Sequence, residues 1–267
     1  MIHLGTQVPS FFIWRPLINY FHMFTNIFSN IQIHVYTVII SALVFIVLHH
    51  LRHKPILKTV SIYTSFFPVL THELGHAFVA QITGGHVADI QMIMTARKQN
   101  ATGKQGYAET LAKHRISFIL IAFAGYIAAP LMMFLGFYFV KQQLSFVFVG
   151  ICFVFILFYL THTKQKWIPL ILLICVLYIG YAIFVETNPI ILSSINLAYS
   201  IYLGLLLGET IQSIIITTKI VFSRSKQAWD GTNLEQLTHI PQHIWWLVWV
   251  IISSMVILHI LRNYILG

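Results

Sequence analysis

The chain is 267 residues long, 58% hydrophobic and only 9% charged, with a mean hydropathy of +0.80. A soluble domain carries about 25% charged residues, so this composition excludes an ordinary soluble enzyme and indicates an integral membrane protein. The net charge of +9 does not indicate nucleic-acid binding, because Lys and Arg fall between apolar runs rather than in one patch. They read as topogenic charge that also attracts the lipid bilayer.

In chain order, residues 10–30 interrupt Phe11, Phe12, Trp14, Phe21 and Phe24 with Asn19, His22, Asn26 and Asn30. That mixture reads as an interfacial helix rather than an additional span. No basic segment precedes an apolar one at the N-terminus, so no cleavable signal peptide is expected. Runs of about 20 apolar residues then predict spans at approximately 33–50, 59–80, 116–140, 144–161, 167–185, 189–213 and 243–262. The predicted fold is an all-α polytopic membrane protein of about seven transmembrane helices. It forms one domain over residues 1–267, with a polar hairpin or loop at 81–115 and an amphipathic linker at 214–242. Cys152 and Cys175 lie inside apolar runs without a CxxC and read as packed free thiols.

Strict alternation of these spans places Arg15, Arg97, Lys98, Lys104, Lys113, Arg115, Lys164, Lys166, Lys219, Arg224 and Lys226 on one face. Arg52, Lys54, Lys58, Lys141 and Arg262 fall on the other. The imbalance favours a cytoplasmic N-terminus.

The second predicted span carries His72-Glu73-Leu74-Gly75-His76 in its second half. On a helix, residues four apart project from nearly the same face about one turn apart, the bite that zinc takes from two imidazoles. A carboxylic acid between them in an apolar segment is costly unless it is used, and Glu73 is placed to act on water at a metal. Pro68 is expected to kink the helix just ahead of the motif. Gly75 leaves room for another helix or a substrate backbone. Thr83-Gly84-Gly85 reads as a helix stop, followed by alternation from Val87 to Met94 and a second extended piece at Gln105–Ala108, with a polar turn at Lys98–Gly103 between them. This stretch reads equally as a hairpin at the mouth of the site, with a strand edge for an unwound peptide, or as an amphipathic loop on headgroups.

A catalytic zinc takes three protein ligands and keeps a position for water. The acidic residues are Glu73, Asp89, Glu109, Glu186, Glu209, Asp230 and Glu235. Asp89 and Glu109 belong to the polar interval, and Glu186 falls on the opposite face by the charge count. Asp230, on the same face as the histidines and followed by Gly231 for a tight turn, is the preferred third ligand. Glu209 is the second choice.

Thr71–Ala77, Thr83-Gly84-Gly85, Ala124-Gly125-Tyr126, and Asp230-Gly231 ahead of Ile240-Pro241 and Trp245-Trp246 resemble the site-2 protease class of intramembrane zinc metalloproteases. The likeness is to the compact branch lacking a regulatory domain. It implies that His72, His76 and Asp230 ligate Zn2+ and that Glu73 is the general base. Two departures stand out. Better-studied members carry Leu-Asp-Gly behind an Asn-x-x-Pro element, and the compact branch more often has Ser-Asp-Ala, whereas here Trp229 precedes Asp230. The resemblance implies a zinc-dependent endopeptidase that cleaves transmembrane or membrane-adjacent segments near the cytoplasmic face. A catalytically inactive zinc-binding scaffold of the same fold is the alternative, and retention of Glu73 speaks against it.

Overall fold

The computed structural model describes residues 31–185, 189–223 and 227–265, so the predicted interfacial helix at 10–30 lies outside the described residues. Ten α-helices and two strands follow one another among them. They are α1 (Val35–His50), α2 (Pro55–Thr64), α3 (Phe66–Ile82), β1 (His86–Met92), α4 (Ala96–Thr102), β2 (Gly106–Leu111), α5 (Arg115–Lys141), α6 (Ser145–His162), α7 (Trp167–Val185), α8 (Pro189–Phe222), α9 (Asp230–Thr238) and α10 (Gln242–Ile260), which runs into a π-helical turn at Leu261–Ile265.

Four of these helices are long and apolar enough to cross a membrane: α5, α6, α8 and α10 with its extension to Tyr264. α1 and Trp167–Ile179 of α7 are apolar but shorter. Large apolar side chains such as Tyr36, Ile56 and Trp167 stand more than three-quarters exposed. Such a surface is a liability in water and is what a bilayer solvates.

The predicted span at 59–80 is two helices. Pro68 has no N–H to offer the carbonyl of Thr64, and α2 ends at Thr64, with Ser65 joining it to α3. The break therefore falls just ahead of the histidine motif, where the proline predicts it. α3 stops at a Schellman turn: Gly85 N–H donates to Ala80 O (2.8 Å) and Gly84 N–H to Gln81 O (3.2 Å), with Gly84 at φ +75°.

The directions of the helices correct the charge count. Gln32 N–H and His34 N–H bond the side chains of Asn196 and Ser200, Val38 packs at Gly204, and Phe45 packs at Gly208. α1 and α8 are thus parallel. α3 is antiparallel to α5 (His76 beside Ile121, Gly75 beside Ala128), and α5 is antiparallel to α8 (Tyr199 OH donating to Gly136 O, Glu209 near Ala129). α1 and α3 therefore point the same way, whereas strict alternation of spans requires opposite directions. Arg52 donates to Gln99 Oε1 at 2.8 Å, and Lys58 bonds Asn100. Basic residues of the α1–α2 loop and of the first turn of α2 accordingly meet the polar helix α4 instead of lying across the membrane from it. An apolar run signals burial or lipid contact but carries no direction, which is why counting runs misassigned this loop.

β1 and β2 pair antiparallel from His86↔Leu111 to Met92↔Gly106, with an irregularity between Val87 and Asp89. α4 occupies the position predicted as a polar turn. The hairpin packs along α3, with Val87, Ile90 and Met92 sharing a core with Phe66, Leu70, Leu74 and Ala77. The α6–α7 loop is stitched to β1: Thr163 Oγ1 donates to Ile90 O, Met92 N–H donates to Gln165 Oε1, and the buried Asp89 accepts from Lys164 N–H at 2.9 Å. Asp89 is thereby committed to structure. Within the predicted linker at 214–242, α8 continues to Phe222 and α9 begins at Asp230.

Candidate metal centre

Three elements meet at the motif. α3 supplies His72 and His76, α5 supplies the floor, and Asp230 enters as the first residue of α9. The three nitrogen and oxygen atoms form a small triangle. His72 Nε2 and His76 Nε2 are 3.1 Å apart, and Asp230 Oδ2 lies 3.5 Å from the first and 3.3 Å from the second. Among the described residues this is the cluster of His, Cys, Asp and Glu able to hold a metal ion.

The donor set fits zinc. Ligands bonded at about 2.0–2.1 Å in a tetrahedron lie about 3.3 Å from one another, and all three edges fall close to that value. His76 is also presented in the correct tautomer. Its Nδ1 lies 2.6 Å from Ile121 O. A carbonyl only accepts, so Nδ1 carries the proton and the Nε2 lone pair faces the other donors.

Close packing on α5 sets the geometry. A Cβ on Gly125 would collide with His76 and stand 2.7 Å from His72 Cε1, so only glycine lets both rings settle on this helix. Gly75 is bare for a different contact, since its Cβ would lie 2.7 Å from Ala128 Cβ. The space at Gly75 is thus taken by α5. The Tyr126 ring meets His72 edge-on, with centroids 4.9 Å apart at 87°.

Glu73 is buried on α3, and its carboxylate makes no hydrogen bond or ion pair with another described residue. It stands outside the ligand triangle. Glu209 is also outside it. That side chain accepts a 2.8 Å bond from Ser213 and lines a cavity of about 20 Å3 with His72, Tyr126, Thr210, Ser213, Thr217 and Ser253. One water needs roughly 10–15 Å3, so the cavity has room for a water beside His72. Of the two acids considered for the third position, the structure brings Asp230 to the histidines and leaves Glu209 with Ser213.

Sequence reasoning missed this polar stripe on α8. Glu209, Ser213 and Thr217 recur every four residues in an apolar helix, a period that marks one face turned away from lipid. Nor did it show what Gly231, whose φ is not positive, packs against. The glycine is required because the Trp229 indole folds against it, within 2.6 Å of where a Cβ would stand.

Apolar spans around a half-buried cluster of two histidines and an aspartate define an integral membrane protein with a centre suited to a divalent metal. Residues 36–260 match the Peptidase M50B-like family model, and the chain belongs to that family, the site-2 protease group of membrane metallopeptidases. Neither the curated proteins nor the solved structures compared with it gave a match.

Proposed function

We propose that the protein is a zinc-dependent intramembrane endopeptidase that cleaves transmembrane or membrane-adjacent peptide segments near the cytoplasmic face. The observation that carries this reading is the His72–His76–Asp230 triangle, three ligands of zinc-like spacing, with a buried Glu73 next in sequence to one of them and hydrogen-bonded to no other described residue. Three protein ligands leave the fourth position open, the arrangement of catalytic rather than structural zinc.

A zinc ion bound there supplies a Lewis acid that acidifies water and polarises a peptide carbonyl. His72, His76 and Asp230 would hold it, and the Ile121 carbonyl fixes the His76 ring. Glu73 takes a proton from the attacking water as the C–O bond forms, and returns it to the amine nitrogen as the C–N bond breaks. The cavity beside Glu209 provides a place for water within a helix bundle otherwise lined by apolar groups.

The substrate is a membrane protein or membrane peptide whose helix unwinds locally at the site. β1 has part of its outer edge occupied by Thr163 and Gln165, while β2 makes no backbone bond on its outer edge among the described residues. An unwound segment is read as adding along β2. The basic residues Arg97, Lys98, Lys104 and Lys113 around the hairpin support a cytoplasmic position for this end.

The test is zinc content and cleavage together. Purified protein carries one zinc per chain and cuts labelled single-span peptides in liposomes, and His72→Ala loses both. A wild type that holds zinc and cuts none of a broad panel of such peptides favours the inactive scaffold.

A further inference from the structure

Asp230 reaches the histidines from a nine-residue helix that is anchored beside the carboxylate by the preceding residue, Trp229, and one turn further on by the buried Leu234. Trp229 is the N-cap of α9 and is buried. Its N–H donates to Thr232 Oγ1 at 3.0 Å, closing the first turn of the helix on itself. Its indole Nε1 donates to Gln242 Oε1, at the start of α10, at 2.7 Å. The ring is held between Tyr126 of α5 (centroids 5.7 Å, 82°) and Trp249 of α10 (5.5 Å, 58°). Trp249 is itself tied to α5, through Nε1 donating to Phe123 O at 3.1 Å. The opposite side of this assembly is a ligand, because the same Tyr126 ring that meets Trp229 also meets His72. Gly231 completes the fit by offering no Cβ to the indole.

From this arrangement we propose that Trp229, keyed by Gln242, is the positioning residue of the metal centre: it sets where Asp230 stands relative to His72 and His76. This deepens the zinc-peptidase reading and rests on it. A carboxylate on a short helix is placed only as well as the helix terminus is placed. Here the adjacent side chain, Trp229, ties the terminus down by one hydrogen bond and two ring contacts. A tryptophan at this point serves because its N–H reaches an acceptor while its faces pack, so it constrains rotation as well as depth. Loss of outer-shell groups that orient metal ligands typically costs about 10–100-fold in metal affinity.

The experiment measures zinc affinity by competition with a chromophoric chelator, on full-length protein in detergent, for wild type, Gln242→Leu, Gln242→Glu and Trp229→Phe. Gln242→Leu removes only the acceptor, and Gln242→Glu restores one. Trp229→Phe keeps a ring and loses the donor. The expected result is an affinity about 10–100-fold weaker in Gln242→Leu and Trp229→Phe, near wild type in Gln242→Glu, with thermal unfolding of the metal-free proteins unchanged. The visible spectrum of the cobalt-loaded protein should change in the two weakened variants and not in Gln242→Glu. If Gln242→Leu and Trp229→Phe bind zinc as tightly as wild type, Trp229 is packing alone and the proposal is overturned. If the weakening tracks lost thermal stability and Gln242→Glu does not restore it, the role is structural and the proposal is again overturned. A wild type that binds no zinc overturns the metal-centre reading, and this inference with it.

Discussion

His76 donates from Nδ1 to the main-chain oxygen of Ile121 across a 2.6 Å gap, and this bond between α3 and α5 decides which nitrogen faces the site. Because the acceptor is a backbone carbonyl, no side-chain substitution at position 121 removes it. The tautomer of His76 is fixed by the antiparallel packing of two helices. Anything that separates those helices should therefore weaken metal binding before it unfolds the protein.

Gly125 tests that dependence most sharply. In Gly125→Ala the new methyl overlaps both imidazoles, and forcing extra volume into a packed site costs about 1–3 kcal/mol. Zinc affinity measured by chelator competition is expected to fall at least about tenfold. Gly150→Ala on α6, where no atom lies within 4 Å of the added Cβ, should leave affinity unchanged.

The two acids near the histidines separate by substitution. Asp230→Ala removes a ligand and should lower zinc affinity by more than the roughly 10–100-fold that an outer-shell loss costs. Glu209→Gln keeps the shape and the bond to Ser213, and should retain one zinc per chain by elemental analysis. An Asp230→Ala protein with undiminished affinity would return the third position to Glu209.

The parallel course of α1 and α3 has its own check. With Cys152 and Cys175 replaced by Ser, Lys54→Cys and Lys98→Cys should both label with a membrane-impermeant maleimide from the same side of sealed vesicles. Labelling from opposite sides would restore the strict alternation of spans and contradict the Arg52–Gln99 contact.

The site was more legible in the sequence than the topology was. The i, i+4 histidines, the intervening glutamate and the same-side aspartate are chemical statements, and residue type with local period carries them. Pro68 and Thr83-Gly84-Gly85 marked the break before the motif and the stop after it, because both act through backbone groups within four or five residues. The direction of α1 was not legible. It depends on Asn196, Ser200, Gly204 and Gly208 meeting residues more than 150 positions earlier, and hydropathy is blind to such pairing. α4 was taken for a turn because five polar residues in a seven-residue stretch show no apolar period, and its helix is held by Arg52 and Lys58 from outside. The partner of Trp229, Gln242, sits across a helix–turn–helix that no local pattern announces.

Proteolysis is the central claim, and Glu73→Gln measures it most directly. The substitution leaves His72, His76 and Asp230 in place and removes only the proton acceptor. Zinc content and the rate of cleavage of a labelled single-span peptide in liposomes are measured on the same preparation. The account expects one zinc per chain in both proteins and a rate about 10²–10⁴-fold lower in the variant. A zinc-loaded Glu73→Gln protein that cuts the peptide at the wild-type rate would contradict it.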